Sequence, residues 1–206
     1  MRIGFFGKGG SGKTTMTAAY VRNLVKNHGK EEVLAIDADH NAHLGEALGL
    51  DNNAEPVGGI REQVKEYIKG DREDIEMVAT TPPSEDSRFI RPSKEDDFLQ
   101  KYAANKNGIN LLEVGSYEEE DYGATCYHGK LDSLTYIMNH LLDTEEDQIA
   151  VDATAGVDTY GSSLVAAYDI NILVVEPTQK AVEVYNEFEE LMSRFHSETL
   201  VVVNKV

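Results

Sequence analysis

Short apolar runs recur along the chain, with amphipathic stretches between them. Arg2 to Phe6 is the first run, and it stops at Gly7, which reads as a buried strand entering a tight loop. From Thr14 onward Ala18, Val21, Leu24 and Val25 fall at helical spacing, and Gly29 supplies the stop. Val33 to Ile36 reads as the next strand and closes on Asp37-Ala38-Asp39. Further strand-like runs lie at Ile75 to Val78, Asn110 to Val114, Ile149 to Val151, Ile170 to Val175 and Leu200 to Val203; Gly129 to Leu142 and Ala181 to Phe195 are helix-like. Strands apolar on both faces, alternating with helices, predict an α/β fold of three layers, with a mainly parallel sheet between helices. A ligand then belongs at the carboxyl ends of the strands.

Pro82 to Asp97, rich in Pro, Ser and charge, reads as a surface excursion, and Glu118-Glu119-Glu120-Asp121 as a solvated loop. No Pro/Ser-rich linker divides the chain, so residues 1–206 form one expected domain. The formal net charge of −18 argues against a surface that neutralises nucleic-acid phosphates or anionic lipid, and neither partner is expected. The single cysteine, Cys126, excludes an intrachain disulfide and fits a reducing cytoplasm. No run reaches the roughly 20 apolar residues of a membrane span.

The chemistry is concentrated in Gly7-Lys8-Gly9-Gly10-Ser11-Gly12-Lys13-Thr14-Thr15, which matches the Walker A pattern between a predicted strand and a predicted helix. Glycines let successive N–H groups face a phosphate, and the positive end of the following helix dipole adds to them. Lys13 would neutralise the β/γ oxygens, and the Thr14 hydroxyl would ligate Mg²⁺. Ile149-Ala150-Val151-Asp152 is an apolar strand ending in Asp, the Walker B arrangement, with Asp152 expected to reach Mg²⁺ through water.

With its early lysine, the loop resembles the deviant Walker A of the MinD/ParA-like P-loop ATPases, a group that includes arsenical-pump, nitrogenase-iron-protein and metal-insertion ATPases. The resemblance implies ATP/ADP and Mg²⁺ as ligands and a nucleotide-dependent homodimer in which Lys8 reaches the partner's phosphates. Asp37-Ala38-Asp39-His40-Asn41 looks like the family's first switch segment. Asp39 then matches the residue that positions the attacking water, and Asp37 is structural or close to Mg²⁺. Ala155-Gly156 resembles the second switch segment, and Asn204 matches the base-contacting asparagine. Asn204-Lys205 also begins the guanine-reading N-K-x-D pattern, so the adenine preference is inferred from the loop. Family members continue past this point with another strand and helix, and whether the chain lacks them is left open.

Within the family, Asp152-Ala153-Thr154-Ala155-Gly156 and Val174-Val175-Glu176-Pro177-Thr178 are most similar to the CooC-type ATPases that mature nickel enzymes. Asp37 to Leu44 resembles their D-A-D-P-N-x-N-L, with His40 and His43 as departures. Where metal-insertion members carry C-x-C, this chain has Cys126-Tyr127-His128. Two copies of Cys126 and His128 would make a Cys₂His₂ set for Ni²⁺ or Zn²⁺ at the dimer interface; a buried cysteine beside a surface histidine is the alternative. The implied activity is a slow, partner-stimulated ATPase serving a client metalloenzyme. A ParA- or MinD-type partitioning ATPase and a nickel-chaperone-type GTPase are the competing readings.

Overall fold

The computed structural model describes every residue except 28, 30, 31, 52, 53, 74, 75, 118–126, 156–162 and 196, together with the side chains of His128 and Ser163. In chain order the elements are β1 (Arg2–Phe6), α1 (Lys13–Asn27), β2 (Val33–Asp37), α2 (Leu44–Leu48), α3 (Arg61–Lys69), α4 (Asp97–Tyr102), β3 (Ala104–Lys106), β4 (Ile109–Glu113), α5 (Tyr127–Asn139), β5 (Ile149–Asp152), β6 (Ile170–Val175), α6 (Gln179–Met192) and β7 (Glu198–Val203). The seven strands form one sheet in the order β3-β4-β2-β5-β1-β6-β7. All neighbours are parallel except β3 and β4.

Side chains alternate across the sheet as strand geometry demands. On one face Ile3, Phe5, Val33, Ala35, Leu111 and Val174 pack with Ala18, Val21 and Leu24 of α1 and Leu44 and Leu48 of α2. On the other, Phe6, Leu34, Ile36, Leu112, Val151 and Leu173 meet α3, α4, α5 and α6 through Ile68, Phe98, Ile137 and Phe188. Burial on both faces is why these strands read as continuous apolar runs, and the expected three layers are observed.

Arg2 pins the start of β1. Its guanidinium donates to Asp143 Oδ1 at 2.6 Å and to the carbonyls of Met138 and Leu141 at 2.9 Å each, where α5 ends. Its backbone N–H donates to Asp169 Oδ2 at 2.7 Å, at the entrance to β6. One side chain thereby fixes the relative depth of α5 and β1, and so the height at which the loop after Phe6 emerges.

Several expectations need correction. Residues 76–78 form no strand: Met77 is buried and held by the Tyr136 hydroxyl, which donates to its carbonyl at 3.0 Å, while Val78 is exposed. A side-chain anchor has replaced a sheet ladder there, and residue 75 lies outside the described residues. The excursion Pro82 to Asp97 is only partly on the surface, because Ile90 is fully buried and exchanges hydrogen bonds with the backbone of His140 and Leu142. β7 is a strand, but it is the sheet's edge, and Leu200, Val201 and Val203 are exposed. The expected helices start earlier: α5 begins at Tyr127, and α6 at Gln179, where the Thr178 hydroxyl accepts from the Ala181 N–H. The expected loop 118–121 lies outside the described residues. Among the described residues, no helix is long and apolar enough to cross a membrane.

His140 is fully buried at the end of α5; its Nδ1–H donates to the Tyr136 carbonyl at 2.9 Å, and Nε2 has no partner among the described residues. Burial holds its pKa below the usual imidazole value, because a proton on Nε2 would place a charge where nothing accepts it. The unfolded chain then takes up a proton as pH falls below about 6.5 while the folded protein does not, so stability is lost in that direction. In urea unfolding, the wild-type midpoint is expected to fall more between pH 7.5 and 5.5 than that of His140→Gln; equal shifts would contradict this assignment.

Candidate functional site

The loops following β1, β2, β5 and β7 meet at one edge of the sheet, as the parallel register requires. Gly7 to Gly12 wraps the amino end of α1, with the Ser11 N–H donating to the Lys8 carbonyl at 3.0 Å. Gly7 and Gly12 have φ of +147° and +99°. A Cβ would drive Gly7 into the Val174 carbonyl and Gly12 into the Asn204 side chain, so sterics as well as torsion demand glycine at both. Asn204 Nδ2 donates to the Ser11 carbonyl at 2.9 Å, and the Lys205 ammonium bonds the Gly10 carbonyl and pairs with Glu176. The residues that follow β7 thus clamp the glycine loop from outside.

A cleft of about 380 Å³ opens over this loop, lined by Gly9, Gly10, Lys13, Thr14, Thr15, Asp39, Asn41, His43 and Asn204, among others. Lys13 is buried, and its ammonium stands 3.7 Å from Asp39 Oδ2. The other oxygen of Asp39 is held separately: Oδ1 accepts from the Asn41 N–H at 3.0 Å and from Asn41 Nδ2 at 2.8 Å, with His40 Nδ1 at 3.3 Å. The Ala42 N–H closes the turn on the Asp39 carbonyl at 3.0 Å, with Ala42 at φ +50°.

Behind Asp39 stand two further buried carboxylates. Asp37 and Asp152 are directly opposite each other in the β2–β5 ladder, so the register itself brings them together. Asp37 accepts from the N–H groups of Asp39 at 3.1 Å and Leu44 at 2.7 Å. Burial nevertheless pushes its pKa up to about 7, an effect that the Leu44 bond opposes and the Asp152 charge reinforces. Asp37 thus organises the turn into α2 while standing beside Asp152, a position compatible with both roles expected of it. Asp152 Oδ1 faces the Thr17 hydroxyl at 3.5 Å, and its Oδ2 is buried without a partner among the described residues. Desolvation raises Asp152 to about 6, against hydrogen bonding from Thr14 and the Lys13 charge. A buried carboxylate oxygen left unbonded beside a threonine hydroxyl at a helix amino end suits a hydrated divalent cation.

Lys13, Thr14, Asp39, Asp152 and Asn204 are thus assembled at one place. Lys8 is not with them: it is exposed and borders a neighbouring recess with Glu176, Thr178 and Lys180. His40 and His43 lie ahead of α2 in a turn, so helical spacing does not align them. Cys126 and Gly156 fall outside the described residues, as does the side chain of His128. Two contributors were not singled out from the sequence. Thr17 lies one helical turn after Lys13, a spacing that could have flagged it. Tyr127, whose hydroxyl donates to the Ala38 carbonyl at 3.0 Å, carries no local signal, because its partner is 89 positions away.

The profile of the CobQ/CobB/MinD/ParA nucleotide binding domain matches residues 5–206. An uncharacterized ATP-binding protein of Methanocaldococcus jannaschii is 29% identical over 207 residues, covering 100% of this chain and 75% of that protein. The carbon monoxide dehydrogenase accessory protein CooC of Rhodospirillum rubrum is 27% identical over 207 residues, with 100% and 74% covered. Among solved structures, the septum site-determining protein MinD of Pyrococcus horikoshii, complexed with Mg-ADP, superposes with a TM-score of 0.61 at 20% identity, covering 98% of this chain and 69% of that one. With the glycine loop, its lysine and the strand-end aspartates set on this sheet, the chain belongs to the CobQ/CobB/MinD/ParA nucleotide-binding domain family.

Proposed function

We propose that the protein is an ATP-hydrolysing switch that closes around Mg·ATP as a homodimer and serves the maturation of a metalloenzyme. The observation that carries the nucleotide part is the pairing of a glycine loop at the amino end of α1 with a buried Lys13 whose only described counter-ion is Asp39 Oδ2, at 3.7 Å. A triphosphate entering the cleft offers Lys13 a stronger partner, and its departure releases Oδ2. Oδ1 stays tied to Asn41, so the freed oxygen is oriented toward the phosphate side and can accept a proton from an attacking water. Thr14 and, through water, Asp152 would hold Mg²⁺, which when bound neutralises charge on the β- and γ-phosphates. Asn204 would contact the base from the site where it already braces Ser11.

Lys8, exposed and turned away from its own cleft, is free to reach the partner's phosphates when two copies meet across the loop. The maturation role rests on the likeness to CooC over the whole chain and on Cys126-Tyr127-His128. Two Cys126 thiolates and two His128 rings would then bind Ni²⁺ or Zn²⁺ between protomers.

Lys13→Gln is expected to weaken Mg·ATP binding by about a hundredfold in a calorimetric titration, the cost of removing one desolvated charge partner. Unchanged affinity would remove the assignment, and GTP competing as well as ATP would favour a GTPase. Asp39→Asn should bind Mg·ATP normally yet hydrolyse it at least about 100-fold more slowly in a phosphate-release assay. For the metal, equilibrium dialysis of the nucleotide-loaded protein should retain one Ni²⁺ or Zn²⁺ per two chains and none after Cys126→Ser; retention by the variant would place the metal elsewhere.

A further inference from the structure

Asp39 stands just past the end of β2, where the sheet ladder no longer holds the chain. The last ladder bonds here belong to its two predecessors: the Val114 N–H donates to the Asp37 carbonyl at 2.8 Å, and the Ala38 N–H donates to the Asp152 carbonyl at 2.9 Å. The peptide that joins Ala38 to Asp39 is held by side chains instead. Its N–H donates to Asp37 Oδ1 at 3.1 Å, and its carbonyl accepts from the Tyr127 hydroxyl at 3.0 Å. Ala38 is 2% exposed, which leaves that carbonyl dependent on a protein donor. Burial, reinforced by the charges of Asp37 and Asp39, holds the Tyr127 pKa well above the usual phenol value, so the hydroxyl keeps its proton and stays a donor. Tyr127 is the first residue of α5 and packs on the sheet face opposite α1, outside the phosphate cleft.

We infer that Tyr127 is a positioning residue for hydrolysis, its hydroxyl fixing the Ala38–Asp39 peptide and with it the direction in which Asp39 enters the cleft. This rests on the reading of Asp39 as the carboxylate that orients the attacking water. A peptide unit is planar, so a bond to its carbonyl and another from its N–H locate one rigid piece of chain from both sides. Beyond that piece the Ala42 N–H holds the Asp39 carbonyl, and Asn41 holds Oδ1. Tyr127 is the anchor on the entry side that comes from another element. Without it the entry of Asp39 is less sharply set, and near-attack geometry tolerates little displacement, so rate is lost. Affinity is not, because Lys13, Thr14 and Thr15 line the cleft from α1 and Tyr127 does not line it.

The test compares single-turnover ATP hydrolysis and the calorimetric Kd for Mg·ATP in whole-chain Tyr127→Phe, with Tyr136→Phe as its control. The first variant removes only the hydroxyl and keeps the ring, which packs on those of His40 and Tyr117 at centroid separations of 5.8 and 5.6 Å. The second removes an equivalent bond from the same helix, that of the Tyr136 hydroxyl to the Met77 carbonyl at 3.0 Å, away from the cleft. Tyr127→Phe is expected to hydrolyse ATP about fivefold more slowly, the rate equivalent of one modest hydrogen bond, with Kd unchanged; Tyr136→Phe should match the wild type in both. A wild-type rate in Tyr127→Phe would overturn the inference. Equal slowing in Tyr136→Phe would overturn it too, by assigning the effect to a general loosening of α5, as would a fivefold loss of affinity in Tyr127→Phe, which would make the bond a support of the binding site. Asp39→Asn separates the two levels. If it hydrolyses ATP at the wild-type rate, the reading of Asp39 fails and Tyr127 falls with it; if it is slow while Tyr127→Phe is normal, only Tyr127 is misassigned.

Discussion

Three carboxylates buried around one ammonium group set the terms for the rest of this structure. Asp37, Asp39 and Asp152 are each at most 6% exposed, and Lys13 is the buried cation facing them. Desolvated charge of one sign is costly unless it is bonded or neutralised, and here backbone N–H groups do much of that. Leu44 and the Asp39 amide serve Asp37, and Asn41 serves Asp39. Asp152 Oδ2 has no partner among the described residues, and the raised pKa values of Asp37 and Asp152 express the same imbalance. A divalent cation beside Asp152 and a polyanion beside Lys13 would complete the balance together, and neither would do so alone.

Parallel strand pairing is what concentrates these groups. Because β2 and β5 run in the same direction in register, their terminal aspartates stand side by side, and Glu113 at the end of β4 lies opposite Asp37 on its other side. The loop after β1 emerges between β5 and β6, so its lysine meets carboxylates from β2 and β5, while Asn204 and Lys205 after β7 brace its outer side. An antiparallel arrangement would send half of these termini to the opposite edge. The phosphate site is therefore a property of sheet topology as much as of the glycine motif, and Arg2, at the far end of β1, helps to hold its height.

Much of this was readable in the sequence where the information is local. The apolar runs of β1, β2, β5 and β6 mark strands buried on both faces, and the glycine loop identifies itself by spacing alone. The hairpin of β3 and β4 also had a local sign, since Asn107-Gly108, at φ +53° and +80°, is a tight-turn pair, yet β3 was not read as a strand. Residues 76–78 misled for the opposite reason. Their composition suits a strand, but a tyrosine from α5 holds Met77 and no ladder forms. The separation of roles between the two Asp39 oxygens, the Tyr127 tie to Ala38 and the exposure of β7 depend on distant partners, and no window of sequence contains them.

The charge arrangement around Lys13 requires Mg²⁺ and a nucleoside triphosphate to complete it if the proposed function is right. Calorimetric titration of the purified protein with ATP, with Mg²⁺ and again with the metal chelated, tests that directly. One saturable site per chain is predicted, with affinity falling by at least about tenfold when Mg²⁺ is removed. No saturable binding of any purine nucleotide, or an affinity indifferent to Mg²⁺, would contradict it.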